Sequence, residues 1–164
     1  METNLISIVI PVFNAEETIE PLVKNIIDEL SGEYSLEIIL VNDYSDDNSE
    51  EKCIKLFHKN PKFIKFYSLA KNVGEHNAVM AGLNNMEGDY VVIMDDDFQN
   101  PVTEVAKLIN YAKESKLDVV YTFYSKKHHS FLRNLGSKFN DSVATIMLRK
   151  PKNLYLSSFK ILNK

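Results

Sequence analysis

Tyr90-Val-Val-Ile-Met-Asp-Asp-Asp-Phe-Gln-Asn-Pro101 decides the fold. Val91, Val92, Ile93 and Met94 form a short apolar run rich in β-branched residues, the composition of a central parallel strand. Asp95, Asp96 and Asp97 follow at its carboxyl end, where open α/β sheets bind their ligands. Three adjacent carboxylates repel one another, and a nearby cation offsets that repulsion. Mg²⁺ takes one or two protein carboxylates and shares its other positions between phosphate and water, so a hard divalent cation held with substrate phosphates suits this triplet. A solvated acidic turn is the plain alternative. Beyond the triplet, Asn100 is placed to cap a helix and Pro101 suits its first position.

The flanking sequence repeats the same unit. Leu5–Phe13 reads as a first buried strand ending near Pro11, and Leu36–Val41 as a second. Phe63–Leu69 reads as a third, with Phe63, Lys65, Tyr67 and Leu69 alternating against Ile64 and Phe66. Asp118–Phe123 is another. Between them lie helical patterns. The first opens on a capping-box-like Asn14 and Glu17 and runs to Leu30, burying Ile19, Leu22, Val23, Ile26, Ile27 and Leu30. Asp46, Asp47 and Ser49 open the second, Glu75–Met86 is the third and Val102–Ser115 the fourth. Strands alternating with helices predict an α/β fold with a mainly parallel sheet covered on both faces. The polar residues gather after the strands: Pro11-Val-Phe-Asn14, Asp43-Tyr-Ser45, Lys71-Asn-Val-Gly74 and the Asp triplet. Four such edges on one rim make a nucleotide-sized site. Neither a Gly-x-Gly-x-x-Gly nor a Walker-type loop occurs, which leaves the metal as the expected partner of the phosphates.

With 164 residues, 45% of them hydrophobic and 26% charged, the chain has the composition of one globular domain. Its net charge of −4 hides an asymmetry. Residues 1–100 carry 7 Lys/Arg against 19 Asp/Glu, a balance of −12, and residues 101–164 carry 12 against 4, a balance of +8. An acidic half suited to a metal thus precedes a basic half suited to anions or simply to solvent. The single cysteine, Cys53, excludes an intramolecular disulfide and reads as a core thiol. No signal peptide and no apolar run of membrane-spanning length is present, which predicts an intracellular chain. His128 and His129 read as loop residues, with no third ligand at a metal-binding spacing.

Four stretches carry a resemblance: Ile8–Asn14, Glu37–Ser45, Asn72–Gly82 and Gly88–Pro101. Together they resemble family 2 glycosyltransferases with the GT-A fold over most of residues 5–162. The last two are most similar to the branch that transfers sugars onto polyprenyl phosphates, the dolichyl-phosphate mannosyltransferase and undecaprenyl-phosphate aminoarabinose transferase type. The resemblance implies an inverting, hexosyltransferase-like enzyme of cell-surface polysaccharide or lipid-linked sugar synthesis. Its implied donor is a nucleotide diphosphate sugar, a UDP-sugar first, and its cofactor Mg²⁺ or Mn²⁺. It implies that Pro11, Val12 and Phe13 flank the nucleobase and that Asp43 hydrogen-bonds it. Asp95 and Asp96 would lie near the ribose and pyrophosphate, with Lys71 approaching the nucleotide. Asp95, Asp97 and Gln99 resemble the branch's metal-binding Asp-x-Asp-x-Gln. Arg133 and Ser137 resemble the pair that holds the acceptor phosphate, a task suited to the planar guanidinium fork. Asp97 and Arg133 would then carry the catalysis.

The implied partners are a polyprenyl phosphate and an anionic membrane surface, at the cytoplasmic face, with no nucleic acid; the sequence sets no oligomeric state. Two departures stand out. Lys126 or Lys127 stands in for an arginine that relatives often carry after the Asp118–Phe123 strand. Relatives place an acidic residue just before a Phe-Arg near the end of the core, where this chain reads Tyr155-Leu-Ser-Ser-Phe-Lys160. An ionised phosphate acceptor needs no catalytic base there, whereas a saccharide hydroxyl needs one. Relatives also continue past the position of Lys164, which implies one catalytic domain over residues 1–164, truncated at its C-terminus. Transfer to a saccharide hydroxyl, or nucleotide binding without transfer, are the competing readings.

Overall fold

The computed structural model describes residues 4–122 and 157–164. The chain divides into two compact units, Met1–Val120 with Ser158–Lys164, and Tyr121–Ser157. Of the second, only Tyr121, Thr122 and Ser157 are described. In chain order the elements are β1 (Leu5–Val12), α1 (Ile19–Leu30), β2 (Ser35–Asn42), α2 (Ser49–Lys59), β3 (Ile64–Ser68), α3 (Glu75–Asn84), β4 (Tyr90–Ile93), α4 (Val102–Ser115), β5 (Val119–Tyr121) and β6 (Lys160–Asn163).

The sheet order is β3-β2-β1-β4-β6-β5. β1 pairs in parallel with β2 and β4, and β2 with β3. The chain therefore builds outward from β1 in one direction through β3, then crosses to β1's other side at β4. That reversal is a topological switch point, and the crevice beyond the carboxyl ends of β1 and β4 is where such a fold binds ligands. β6 runs antiparallel to β4, with Ile93 opposite Lys160 and Tyr90 opposite Asn163. The sequence pattern did not predict β6.

Alternation along the central strands sorts the core into two layers. Ile6, Ile8, Ile10 and Val12 of β1 pack with Val92 and the apolar stripes of α1, α2 and α4. Val9, Ile39, Val41 and Val91 face the other way, against Ala78 of α3. Both faces are covered, as expected, and this is why β1 and β2 read as continuous apolar runs. On α1, Ile19, Leu22, Val23, Ile26 and Leu30 are buried at helical spacing, each stabilising the fold by roughly 1.5–3 kcal/mol. Ile27, expected with them, is half-buried at the edge. Cys53 is fully buried, as expected of a core thiol.

Three local expectations are corrected. α1 begins at Ile19, after a Thr18 cap position that makes no side-chain capping bond, and the Asn14–Glu17 box does not form. Asn14 has a φ of +52° and its side chain accepts the Asp46 N–H instead, so it steers the loop toward β2. Pro101 occupies the cap position of α4 with extended backbone, one residue before the predicted place, which sets the buried Asn100 just ahead of the cap. α3 ends at Asn84, two residues earlier than its pattern suggested.

Candidate active site

Each strand that ends on the rim hands over to a loop containing one residue in the left-handed region. These are Asn14 (φ +52°) after β1, Tyr44 (φ +59°) after β2, Gly74 (φ +87°) after β3 and Phe98 (φ +60°) after β4. Glycine takes this conformation freely, but a bulky side chain such as Tyr44 or Phe98 stores about 1–3 kcal/mol of strain there. Such strain persists only where the surroundings over-determine it, and here the loops are bonded to one another. The Asn14 N–H donates to Ser45 Oγ (3.1 Å), and the Asp46 N–H to Asn14 Oδ1 (2.9 Å), joining the first loop to the second. The Phe13 N–H donates to Asp96 Oδ2 (3.0 Å), joining the first to the fourth across the switch point. Asp43 joins the second to the third, accepting the Val73 N–H at Oδ1 and the Gly74 N–H at Oδ2, both at 2.8 Å.

These loops enclose a cavity of about 510 Å³, within the size range of small-molecule sites. Pro11, Val12 and Phe13 line it from the first loop and Asp43 from the second. Asn72, Gly74 and Glu75 line it from the third, Asp95, Asp96 and Asp97 from the fourth, and Ser158 completes the wall. The structure therefore brings together seven of the residues singled out from the sequence: Pro11, Val12, Phe13, Asp43 and the Asp triplet. Phe13 is 46% exposed, an aromatic face open to a planar ligand. Asp43 is 2% exposed, so it is a built-in part of the wall. Its carboxylate fixes the loop before α3 and does not cap α2; that role falls to Asp47, whose Oδ1 accepts the Ser49 N–H.

The three carboxylates of the triplet diverge, each toward its own donor. Asp95 Oδ2 accepts the Ser158 hydroxyl at 2.7 Å. Asp96 turns to the Phe13 N–H. Asp97 accepts the Gln99 N–H at Oδ1 (3.1 Å) and the Gln99 side-chain amide at Oδ2 (2.6 Å). Burial pushes the Asp96 carboxyl up to about 6, and the charges of Asp97 and Asp95 add to this, while the Phe13 N–H pulls the other way. Among the described residues no three His, Cys, Asp or Glu side chains converge into a ready-made metal cage. The donor set still fits a hard cation that takes one or two carboxylates and completes its shell with phosphate and water. Gln99, expected as a ligand, here holds Asp97 through its amide.

Lys71 is exposed and is not part of the cavity wall. Arg133, Ser137, Lys126, Lys127, His128 and His129 lie outside the described residues. Sequence reasoning missed Glu75 and Ser158. Glu75 could have been reached, because it opens α3 directly after the Lys71–Gly74 turn. Ser158 reaches the site only through the unpredicted β6.

A mainly parallel sheet with a carboxylate-lined cavity at its switch point is the architecture of nucleotide-diphospho-sugar transferases, the GT-A fold. Glucosyl-3-phosphoglycerate synthase from M. tuberculosis superimposes with a TM-score of 0.72 at 22% identity, over 98% of this chain and 57% of that one. A mannosyltransferase from Pyrobaculum calidifontis superimposes with a TM-score of 0.70 at 18% identity, over 96% of this chain and 44% of that one. The chain belongs to glycosyl transferase family 2, which it matches over residues 7–162. An undecaprenyl-phosphate 4-deoxy-4-formamido-L-arabinose transferase from Proteus mirabilis (strain HI4320) is 37% identical over 145 residues, 87% of this chain and 44% of that protein. Its counterpart from Photorhabdus laumondii is 35% identical over 143 residues, 85% of this chain and 43% of that protein. The chain thus spans less than half the length of these curated relatives. Among the described residues no helix is long and apolar enough to cross a membrane.

Proposed function

We propose that the chain is the catalytic domain of an inverting glycosyltransferase that moves a sugar from a nucleotide diphosphate sugar, a UDP-sugar first, to a polyprenyl phosphate at the cytoplasmic face of a membrane. The observation that carries this is the switch-point cavity, walled by all four rim loops and by three consecutive carboxylates. The names of the two relatives, both undecaprenyl-phosphate sugar transferases, support the acceptor. Structures of the Pyrobaculum mannosyltransferase with GDP-Man and Mn²⁺, and of the M. tuberculosis synthase with Mn²⁺, UDP and phosphoglyceric acid, support the donor and cofactor classes.

In this reading Pro11, Val12 and Phe13 flank the base. Asp43, with both oxygens already engaged by Val73 and Gly74, accepts a further hydrogen bond from the base through its remaining lone pairs. Asp95 and Asp97 hold Mg²⁺ or Mn²⁺, with Gln99 beside them and Asp96 near the ribose. When bound, the cation supplies charge stabilisation for the leaving diphosphate. Arg133 and Ser137 hold the acceptor phosphate and Lys71 approaches the nucleotide. A phosphate monoester is largely ionised at neutral pH, so its oxygen attacks the anomeric carbon without a base. The resemblance places an acid just before the position of Phe159, where this chain has Ser158 in the cavity wall, and that supports a reading without a base. The test is transfer from a panel of nucleotide sugars to undecaprenyl phosphate. Arg133→Ala should abolish transfer with nucleotide affinity nearly unchanged, and Arg133→Lys should restore only part of it. Full transfer by Arg133→Ala, or preference for a neutral sugar hydroxyl, would remove the lipid-phosphate assignment.

A further inference from the structure

Ser158 comes to the site from the far end of the sequence. In the antiparallel pairing of β6 with β4, Ile93 stands opposite Lys160. Continuing that register past the end of β4 brings Phe159 beside Met94 and Ser158 beside Asp95. Phe159 and Ile161 are buried in the main core at 2% and 1% exposure. They anchor the strand, so the position of Ser158 is set by packing. Its own side chain is exposed to the cavity and donates its hydroxyl proton to Asp95 Oδ2 at 2.7 Å.

The other two carboxylates of the triplet have different partners: Asp96 accepts a backbone N–H of the first loop, and Asp97 is held by Gln99 two residues on. Asp95 alone is held by a side chain from an element 63 residues away. A hydroxyl bonded to one carboxylate oxygen restricts the rotation of the group and uses one lone pair of that oxygen, which sets how the remaining lone pairs are presented. Outer partners of this kind orient a metal-binding carboxylate, and losing one typically weakens the metal about 10–100-fold.

We propose that Ser158 is a positioning residue for Asp95. It holds that carboxylate in the orientation in which it would meet a divalent cation. β6 is then part of the active site and not merely a late addition to the sheet. This inference rests on the proposed nucleotide–metal reading of the cavity.

The test compares the parent, Ser158→Ala and Ser158→Thr by calorimetry, with the tightest binder among UDP, GDP and dTDP, in Mn²⁺ and in EDTA. Ser158→Ala should weaken binding about tenfold in Mn²⁺ and leave binding in EDTA unchanged. Ser158→Thr, which keeps the hydroxyl, should bind as the parent does. A thermal melt equal to that of the parent separates positioning from misfolding. Equal affinity of Ser158→Ala and parent in Mn²⁺ overturns the inference and spares the nucleotide–metal reading. So does an equal loss in Mn²⁺ and EDTA, or a Thr variant as weak as Ala. No metal dependence in the parent overturns both.

Discussion

Glu37→Gln tests how the fold holds the strand that carries the triplet. Glu37 is a nearly buried carboxylate near the start of β2, opposite Ser7 of β1 and at the end of the strand away from the rim. Oε2 accepts the Ser7 hydroxyl (2.5 Å) and the Glu87 N–H (3.0 Å), and Oε1 pairs with Lys65 Nζ (2.5 Å). Ser7 Oγ in turn accepts the Gly88 N–H at 2.9 Å, so the network clamps the turn that launches β4. Three donors converge on the carboxylate, and a glutamine can accept on one side only. With the amide oxygen facing Ser7 and the Glu87 N–H, the donor that loses its acceptor is half-exposed Lys65, which keeps Glu87 Oε1 at 2.7 Å, so the loss is about 1–2 kcal/mol. We expect Glu37→Gln to be about 1–2 kcal/mol less stable in urea at pH 7, and to melt about 2–8 °C lower. Burial raises the Glu37 pKa, but the bonds from Lys65, Ser7 and the Glu87 N–H outweigh it, and the net shift is below the usual 4.5. A carboxylate depressed by folding adds stability that is present above its unfolded pKa and lost as pH falls through its folded pKa. The gap between parent and variant should therefore close as pH drops below about 4. A gap that stays constant down to pH 3.5, or is absent at pH 7, would refute the clamp.

Asp96 behaves with the opposite sign. Its carboxyl, raised from 3.8 to about 6 by burial first, favours the neutral form in the fold, so stability falls as pH rises from about 4 to about 6 and the full cost remains above that. Asp96→Asn should stabilise the chain by about 1–2 kcal/mol at pH 8 in EDTA, allowing for screening, and change nothing at pH 3.5, as read by urea denaturation. Gly88→Ala should be strongly destabilising, because its Cβ would lie 2.5 Å from Ser7 Oγ, 2.7 Å from the Ser7 backbone nitrogen and 2.9 Å from the Leu5 carbonyl; a loss of about 3 kcal/mol or more is expected in the same assay. Cys53 is fully buried and burial pushes its thiol up to about 12. It should resist a thiol reagent at pH 8 until the chain unfolds, and rapid labelling of the native protein would contradict that.

The parts of this fold that were legible are those where one signal suffices. α4 was placed at Val102–Ser115 because Val102, Val105, Leu108, Ile109 and Ala112 repeat at helical spacing over 14 residues. β1, β2 and β4 were legible because burial on both faces makes them unbroken apolar runs. β6 was not, since four residues of mixed polarity carry no period and its partner β4 lies some 70 residues upstream. The rim was legible because each polar loop directly follows an apolar strand. Its interlocking was not, because bonds such as Phe13 to Asp96 and Asp43 to Gly74 join loops that are distant in sequence. The mistaken Asn14 cap has the same origin. Asn14 followed three residues later by Glu17 is a sound local signal, but Ser45 and Asp46 of the neighbouring loop claim Asn14 instead.

The central claim is that the switch-point cavity binds a nucleoside diphosphate through a divalent cation held by Asp95 and Asp97. Calorimetric titration of UDP, GDP and dTDP into the parent and Asp97→Asn, in Mn²⁺ and then in EDTA, tests it most directly. The account predicts that one nucleotide binds the parent far more tightly in Mn²⁺, and that Asp97→Asn loses that gain with its affinity in EDTA unchanged. Equal affinity of parent and Asp97→Asn in Mn²⁺ would contradict it.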